Sequence, residues 1–192
     1  MQDAPDIQLV AIDVDGTLLR AKRQMSFKVI SAIIAASQRG VKVVLASARP
    51  PRTMREIYDH LKLDTPMINY NGALIHDPVQ RRHIHHRPMH AGLVKRMIRA
   101  ARKLDPKVIV SLEILDKWYT DDVDDSLPTE TSRDFDPDFI GPLESFLHVP
   151  VTKLMLLAPP DRIGAIREVI ERRFQGRVAI MVSDEHVLQI VH

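Results

Sequence analysis

The chain has 192 residues, 45% hydrophobic and 27% charged, a balance that can bury a core and excludes disorder as the ground state. Lys plus Arg at 27 against Asp plus Glu at 25 gives a formal charge of +2, too slight an excess to argue for nucleic acid. The absence of cysteine excludes disulfides, a thiol nucleophile and a thiolate zinc site, and fits a reducing compartment.

In chain order, the acidic start Met1-Gln2-Asp3-Ala4-Pro5-Asp6 carries no readable signal peptide. Ile7 to Ile12 is apolar enough for a strand covered on both faces. Ser26 can cap a helix with apolar positions Phe27, Ile30, Ile33 and Ile34, closed by Gly40. That segment includes the uncharged stretch Val29 to Gln38, far below the ~18 apolar residues of a membrane span, so the chain reads as soluble and cytoplasmic. Val41 to Ala46 forms a second buried strand. Pro50-Pro51 opens a helix striped by Met54, Ile57, Tyr58 and Leu61, and Met67 to Tyr70 makes a third strand. Strands alternating with helices imply a doubly wound, parallel start.

Composition changes after Asp77-Pro78. Residues 81 to 103 hold eight Lys or Arg and no acid, whereas 113 to 144 hold eleven acids against Lys117 and Arg133. That contrast marks a second unit, 79–192, after a first at 1–78. Its pattern gives a helix near His90 to Lys103, strands near Val108 to Leu115 and Trp118 to Thr120, and a loop rich in Asp and Pro to about Pro142. A strand over Thr152 to Ala158, a helix over Asp161 to Phe174 and strands over Val178 to Val182 and Val187 to Val191 complete it. This is an α+β unit with an antiparallel component.

The chemistry gathers where the first strand ends. Asp13-Val14-Asp15-Gly16-Thr17 places two carboxylates at the carboxyl edge of the sheet, where open α/β sheets bind ligands. Paired carboxylates share a proton or recruit a hard cation such as Mg²⁺. Asp-Gly alone also signals a turn. A calcium loop counted from Asp13 fails, because Leu18 stands at the glycine position and Gln24 at the terminal glutamate.

Asp13-Val14-Asp15-Gly16-Thr17-Leu18-Leu19 resembles the first motif of the haloacid dehalogenase superfamily of phosphatases. The resemblance implies a Rossmann-like α/β core with a type IIB α+β cap, as in the Cof-like members. It also implies a magnesium-dependent phosphomonoester hydrolase acting through an aspartyl-phosphate. Asp13 would be the nucleophile and Asp15 the acid/base, with Mg²⁺ held by the Asp13 carboxylate and the Asp15 main-chain carbonyl. Leu45-Ala46-Ser47-Ala48-Arg49-Pro50 resembles the second motif, with the Ser47 hydroxyl and the next backbone N–H, that of Ala48, on the phosphoryl oxygens. Ala48 departs from the usual glycine. Gly16 joins this phosphate-binding set. Arg49 has two partners open to it, phosphate or a neighbouring carboxylate. Asn71-Gly72-Ala73-Leu74-Ile75 resembles a Cof-like segment that turns Asn71 toward substrate, and Asn-Gly is also a hairpin signal.

The third-motif lysine and the fourth-motif acidic cluster are not read in this sequence. Lys153 falls in a strand of the second unit and takes a structural role. The core is then three parallel strands with an open edge suited to self-association, and the chain reads as a truncated or partial enzyme with little activity alone. The substrate implied is a small phosphorylated metabolite such as a sugar phosphate. The rival reading is a noncatalytic binding module that retains the fold. Arg81 to His90 holds four histidines and three arginines; a solvated strand is favoured over a zinc site, because arginines repel a cation and no carboxylate is nearby. The basic residues Lys95, Arg96, Arg99, Arg102 and Lys103 lack the interleaved aromatics of a single-strand binder, so nucleic acid is set aside.

Overall fold

A computed structural model describes residues 7–19, 24–129 and 131–192; the acidic start lies outside them. The chain forms two compact units, Met1–His85 and His86–His192.

In the first unit, β1 (Leu9–Asp13), β2 (Lys42–Ala46) and β3 (Met67–Asn69) are joined through α1 (Phe27–Gln38) and α2 (Pro51–His60). β2 pairs in parallel with both β1 and β3, the three-strand parallel core expected. The sheet does not stop there. β4 (Leu74–Asp77) pairs antiparallel to β3, and β5 (Arg82–His86) is the next strand, giving the order β1-β2-β3-β4-β5. The His/Arg-rich strand therefore extends the first sheet and is not a strand of the second.

Local chemistry explains the helix ends. Ser26 is the N-cap of α1, its hydroxyl accepting from the Val29 N–H. Pro51 starts α2, where a missing N–H costs nothing. Met54, Ile57 and Tyr58 of α2 pack with Val43 and Leu45 of β2, whereas α1 supplies Ile33 as its one fully buried residue. Two expectations need correction. Phe27 is 82% exposed, and β1 is not covered on both faces, with Leu9 58% and Val10 36% exposed. Among the described residues β1 is an edge strand with β2 as its sole strand neighbour, so the apolar run has less to pack against than its composition suggests.

Tyr58 is buried, and its hydroxyl has no hydrogen-bond partner among the described residues. Burial, reinforced by the charges of Asp64 and Asp77, pushes its phenol up to about 12. The neutral phenol is thus the form the fold accommodates. The contribution of Tyr58 to stability should be fully present below pH 10 and decline as pH rises from 10 toward 12. Tyr58→Phe should flatten that decline in urea titrations and, by removing an unsatisfied hydroxyl, leave stability at neutral pH unchanged or raise it by about 1 kcal/mol.

The second unit is a six-stranded sheet with two helices. α3 (Ala91–Leu104) precedes β6 (Ile109–Ile114), β7 (Lys117–Thr120), β8 (Phe139–Ile140) and β9 (Lys153–Leu157). α4 (Pro160–Phe174), β10 (Ala179–Asp184) and β11 (Val187–Val191) follow, and the strand order is β10-β11-β9-β6-β7-β8. All pairs are antiparallel except β7–β8. Strand alternation sends Val110, Leu112, Leu154, Leu156, Leu188 and Ile190 into one core with α3 and α4. The opposite face carries Glu113 and Lys153, cross-strand partners 3.1 Å apart and 0% and 3% exposed in their side chains. The loop acids act as backbone and side-chain acceptors. Asp138 takes the Trp118 N–H at 2.9 Å, and Asp121 takes the Val110 N–H at 2.7 Å and pairs with Arg102. Trp118 is buried, and Tyr119 stacks on Phe146.

Candidate active site

The segment after β1 folds back on itself. The Leu18 N–H donates to the Asp13 carbonyl at 3.2 Å, Leu19 N–H to the Val14 carbonyl at 2.8 Å, and Gly16 N–H to the Leu19 carbonyl at 2.9 Å. Val14, Leu18 and Leu19 are thereby buried while Asp13, Asp15, Gly16 and Thr17 remain exposed. The apolar residues of the motif anchor the loop and the polar ones are presented. Gly16 sits at φ +78° with open space where a Cβ would lie, so glycine is required there by backbone conformation and not by crowding.

The loop after β2 meets this segment. Arg49 is 7% exposed and forks onto Asp15, with Nε 2.9 Å from Oδ2 and Nη2 2.6 Å from Oδ1. This bidentate geometry fixes the carboxylate plane as well as its position. Of the two partners open to Arg49 in sequence, the structure places the carboxylate against it. The Ser47 hydroxyl lies 3.4 Å from Asp15 Oδ2 and accepts from the Arg49 N–H at 3.1 Å. Asp13 Oδ2 takes the Thr17 hydroxyl at 3.3 Å and stays exposed. Asp13, Asp15, Gly16, Ser47, Ala48 and Arg49 thus lie along two adjoining parallel-strand ends.

Asn71 enters differently. The Asn71 N–H donates to the Ser47 carbonyl at 3.1 Å, while its side chain is exposed. The link between β3 and β4 has three successive residues with positive φ, Tyr70, Asn71 and Gly72. It is therefore a longer turn than the two-residue hairpin that Asn-Gly suggests. Asn69 was not singled out by sequence, yet it is fully buried and its Nδ2 donates to the Arg49 carbonyl at 3.1 Å. The Tyr70 N–H reaches the same carbonyl at 3.4 Å. An asparagine at the end of a third parallel strand was the available signal.

The donor set suits a hard cation. Asp13 offers an exposed carboxylate, and Asp15, whose carboxylate is forked by Arg49, offers its main-chain carbonyl as a further oxygen donor. Among the described residues no group of three or more His, Cys, Asp or Glu converges.

A family model for haloacid dehalogenase-like hydrolases matches residues 10–192. The chain belongs to that family. Among relatives of this haloacid dehalogenase-like chain is the Bacillus subtilis 5-amino-6-(5-phospho-D-ribitylamino)uracil phosphatase YitU, 26% identical over 163 residues, covering 84% of this chain and 60% of the relative. A haloacid dehalogenase-like hydrolase from Bacteroides thetaiotaomicron superposes with a TM-score of 0.83 at 18% identity, over 96% of this chain and 70% of that one. The subclass IIB sugar phosphatase BT4131 superposes with a TM-score of 0.72 at 17% identity, over 96% and 69%. The chain thus spans about three fifths of the length of the first curated relative. Among the described residues no helix is long and apolar enough to cross a membrane.

Proposed function

We propose that this chain carries the nucleophile and acid/base of a magnesium-dependent phosphomonoesterase. The observation that carries the reading is an exposed Asp13 carboxylate two residues from an Asp15 that Arg49 and Ser47 hold in place. The Asp13 carboxylate attacks phosphorus, and the ester P–O bond breaks as Asp15 gives its proton to the leaving oxygen. Asp15 then takes a proton from water, which attacks the aspartyl-phosphate, releasing inorganic phosphate and the free Asp13 carboxylate. Mg²⁺ on the Asp13 carboxylate and the Asp15 carbonyl would supply charge to offset repulsion between carboxylate and phosphate. Ser47 and the Ala48 N–H hold phosphoryl oxygens, with Gly16 and Asn71 bordering the same position. Arg49 is a positioning residue, acting through Asp15.

The substrate class is a small phosphorylated metabolite. The names of YitU and BT4131 denote a ribityl phosphate and sugar phosphates, both phosphomonoesters on a polyhydroxylated carbon chain, and a sugar phosphate is the reading adopted for this chain.

Trapping Asp13 as its beryllofluoride adduct tests the nucleophile without requiring turnover. With Mg²⁺ and beryllofluoride, ¹⁹F NMR of this chain should show protein-bound trifluoroberyllate that disappears on chelating Mg²⁺. No bound signal at millimolar beryllofluoride with excess Mg²⁺ would rule the assignment out.

A further inference from the structure

β4 and β5 are neighbours joined by a short turn in which Asp77 Oδ1 accepts the N–H groups of Val79 and Gln80 at 3.0 and 2.9 Å. Across this pair His76 and His83 face each other at the protein surface. Their Nδ1 atoms are 3.3 Å apart, with ring centroids 5.1 Å apart and ring planes inclined by 46°. Two imidazole nitrogens at this distance either share one proton or direct both lone pairs at one ion. Metal–nitrogen bonds of about 2.0–2.1 Å at a tetrahedral angle put two ligand nitrogens about 3.3–3.4 Å apart. A cis pair in a square plane lies closer, at about 2.8–3.0 Å.

We propose that His76 and His83 form a two-histidine site for a divalent transition metal, Zn²⁺ before others, with water or an exogenous anion completing a tetrahedron. Aiming both lone pairs at a common point asks for rotation of the rings about χ2, whose well is broad in histidine. The strand pairing holds the two backbones in place, so the ion does not have to order the chain. No third His, Cys, Asp or Glu joins them among the described residues, and Arg81 and Arg82 border His83 in sequence, so binding is that of an accessory site. Two other histidines of the run are placed otherwise. His86 lies 2.9 Å from the Thr152 hydroxyl, and His90 accepts the Gly92 N–H as the N-cap of α3. Imidazole nitrogen favours Zn²⁺ where the oxygen set at Asp13 favours Mg²⁺, so this inference does not depend on the phosphatase reading.

The test is a Zn²⁺ titration of the whole chain in saturating Mg²⁺, followed by calorimetry and by ¹⁵N NMR of the imidazoles. One Zn²⁺ should bind, shifting the Nδ1 signals of His76 and His83. His76→Ala and His83→Ala should each weaken binding at least about tenfold while His85→Ala leaves it unchanged. Equal Zn²⁺ affinity in the wild type and the His76→Ala/His83→Ala double variant would overturn the proposal. So would Zn²⁺-induced shifts confined to other histidines. Circular dichroism of the variants separates loss of ligand from loss of fold.

Discussion

Asp13→Asn is expected to lower kcat/KM for a phosphomonoester by at least about 10³-fold, roughly 4 kcal/mol of transition-state stabilisation, in any preparation of this protein that turns over. The substitution keeps the size of the side chain and can keep the Thr17 contact, so the fold is spared while the oxygen pair proposed as nucleophile and the negative charge proposed to face Mg²⁺ are both lost. The bound ¹⁹F signal should vanish in the same variant. Asp15→Asn separates the two carboxylates: turnover falls, but the beryllofluoride adduct on Asp13 persists, because forming it needs no proton transfer. Wild-type turnover in Asp13→Asn would refute the assignment, and loss of the adduct in Asp15→Asn would show that Asp15 does more than move protons.

Lys153→Met is expected to destabilise the second unit by about 3–5 kcal/mol, because it removes the Lys153 ammonium from beside the buried Glu113 carboxylate. At about 2–4 °C per kcal/mol for a chain of this size, the thermal midpoint should drop by roughly 10 °C. The double variant Lys153→Met/Glu113→Leu should recover most of that loss, since two apolar side chains replace a desolvated ion pair. Denaturant titrations of wild type, single and double variants measure the cycle. A single-variant loss below about 1 kcal/mol would mean that Glu113 is neutralised or rehydrated when Lys153 is removed.

What the sequence made legible was mostly what is local. The pentad after β1, the Ser26 cap, the Pro51 helix start and the periodicity of α3 and α4 each rest on residues within a few positions of one another. The structure adds what distant residues decide. Arg49 and Asp15 are 34 positions apart, and neither residue's neighbours say whether the guanidinium meets a carboxylate or an anion. Glu113 and Lys153 meet through the register of β6 and β9, which strand periodicity alone leaves open. The strand at Arg82–His86 was visible as a strand, but its sheet was not, because a sharp change in composition at residue 78 drew the boundary ahead of it. Apolarity alone points to Phe27 and Leu9 as core, yet both are exposed. Burial depends on having neighbours on the correct side, and an edge strand has fewer of them.

The turn after β3 places Tyr70 and Asn71 in the left-handed region, at φ 52° and 53°, an arrangement that for residues with a Cβ costs on the order of 1–3 kcal/mol each. In return its amides and the Asn69 carboxamide grip the Ser47 and Arg49 carbonyls. The guanidinium that steadies Asp15 is therefore aligned from behind, through hydrogen bonds to its own main chain. Sequence drift at Asn69 or Tyr70 would then loosen the seat of Arg49 while Asp13, Ser47 and Asn71 stayed the same, so intact motifs alone would not certify a working enzyme among its descendants.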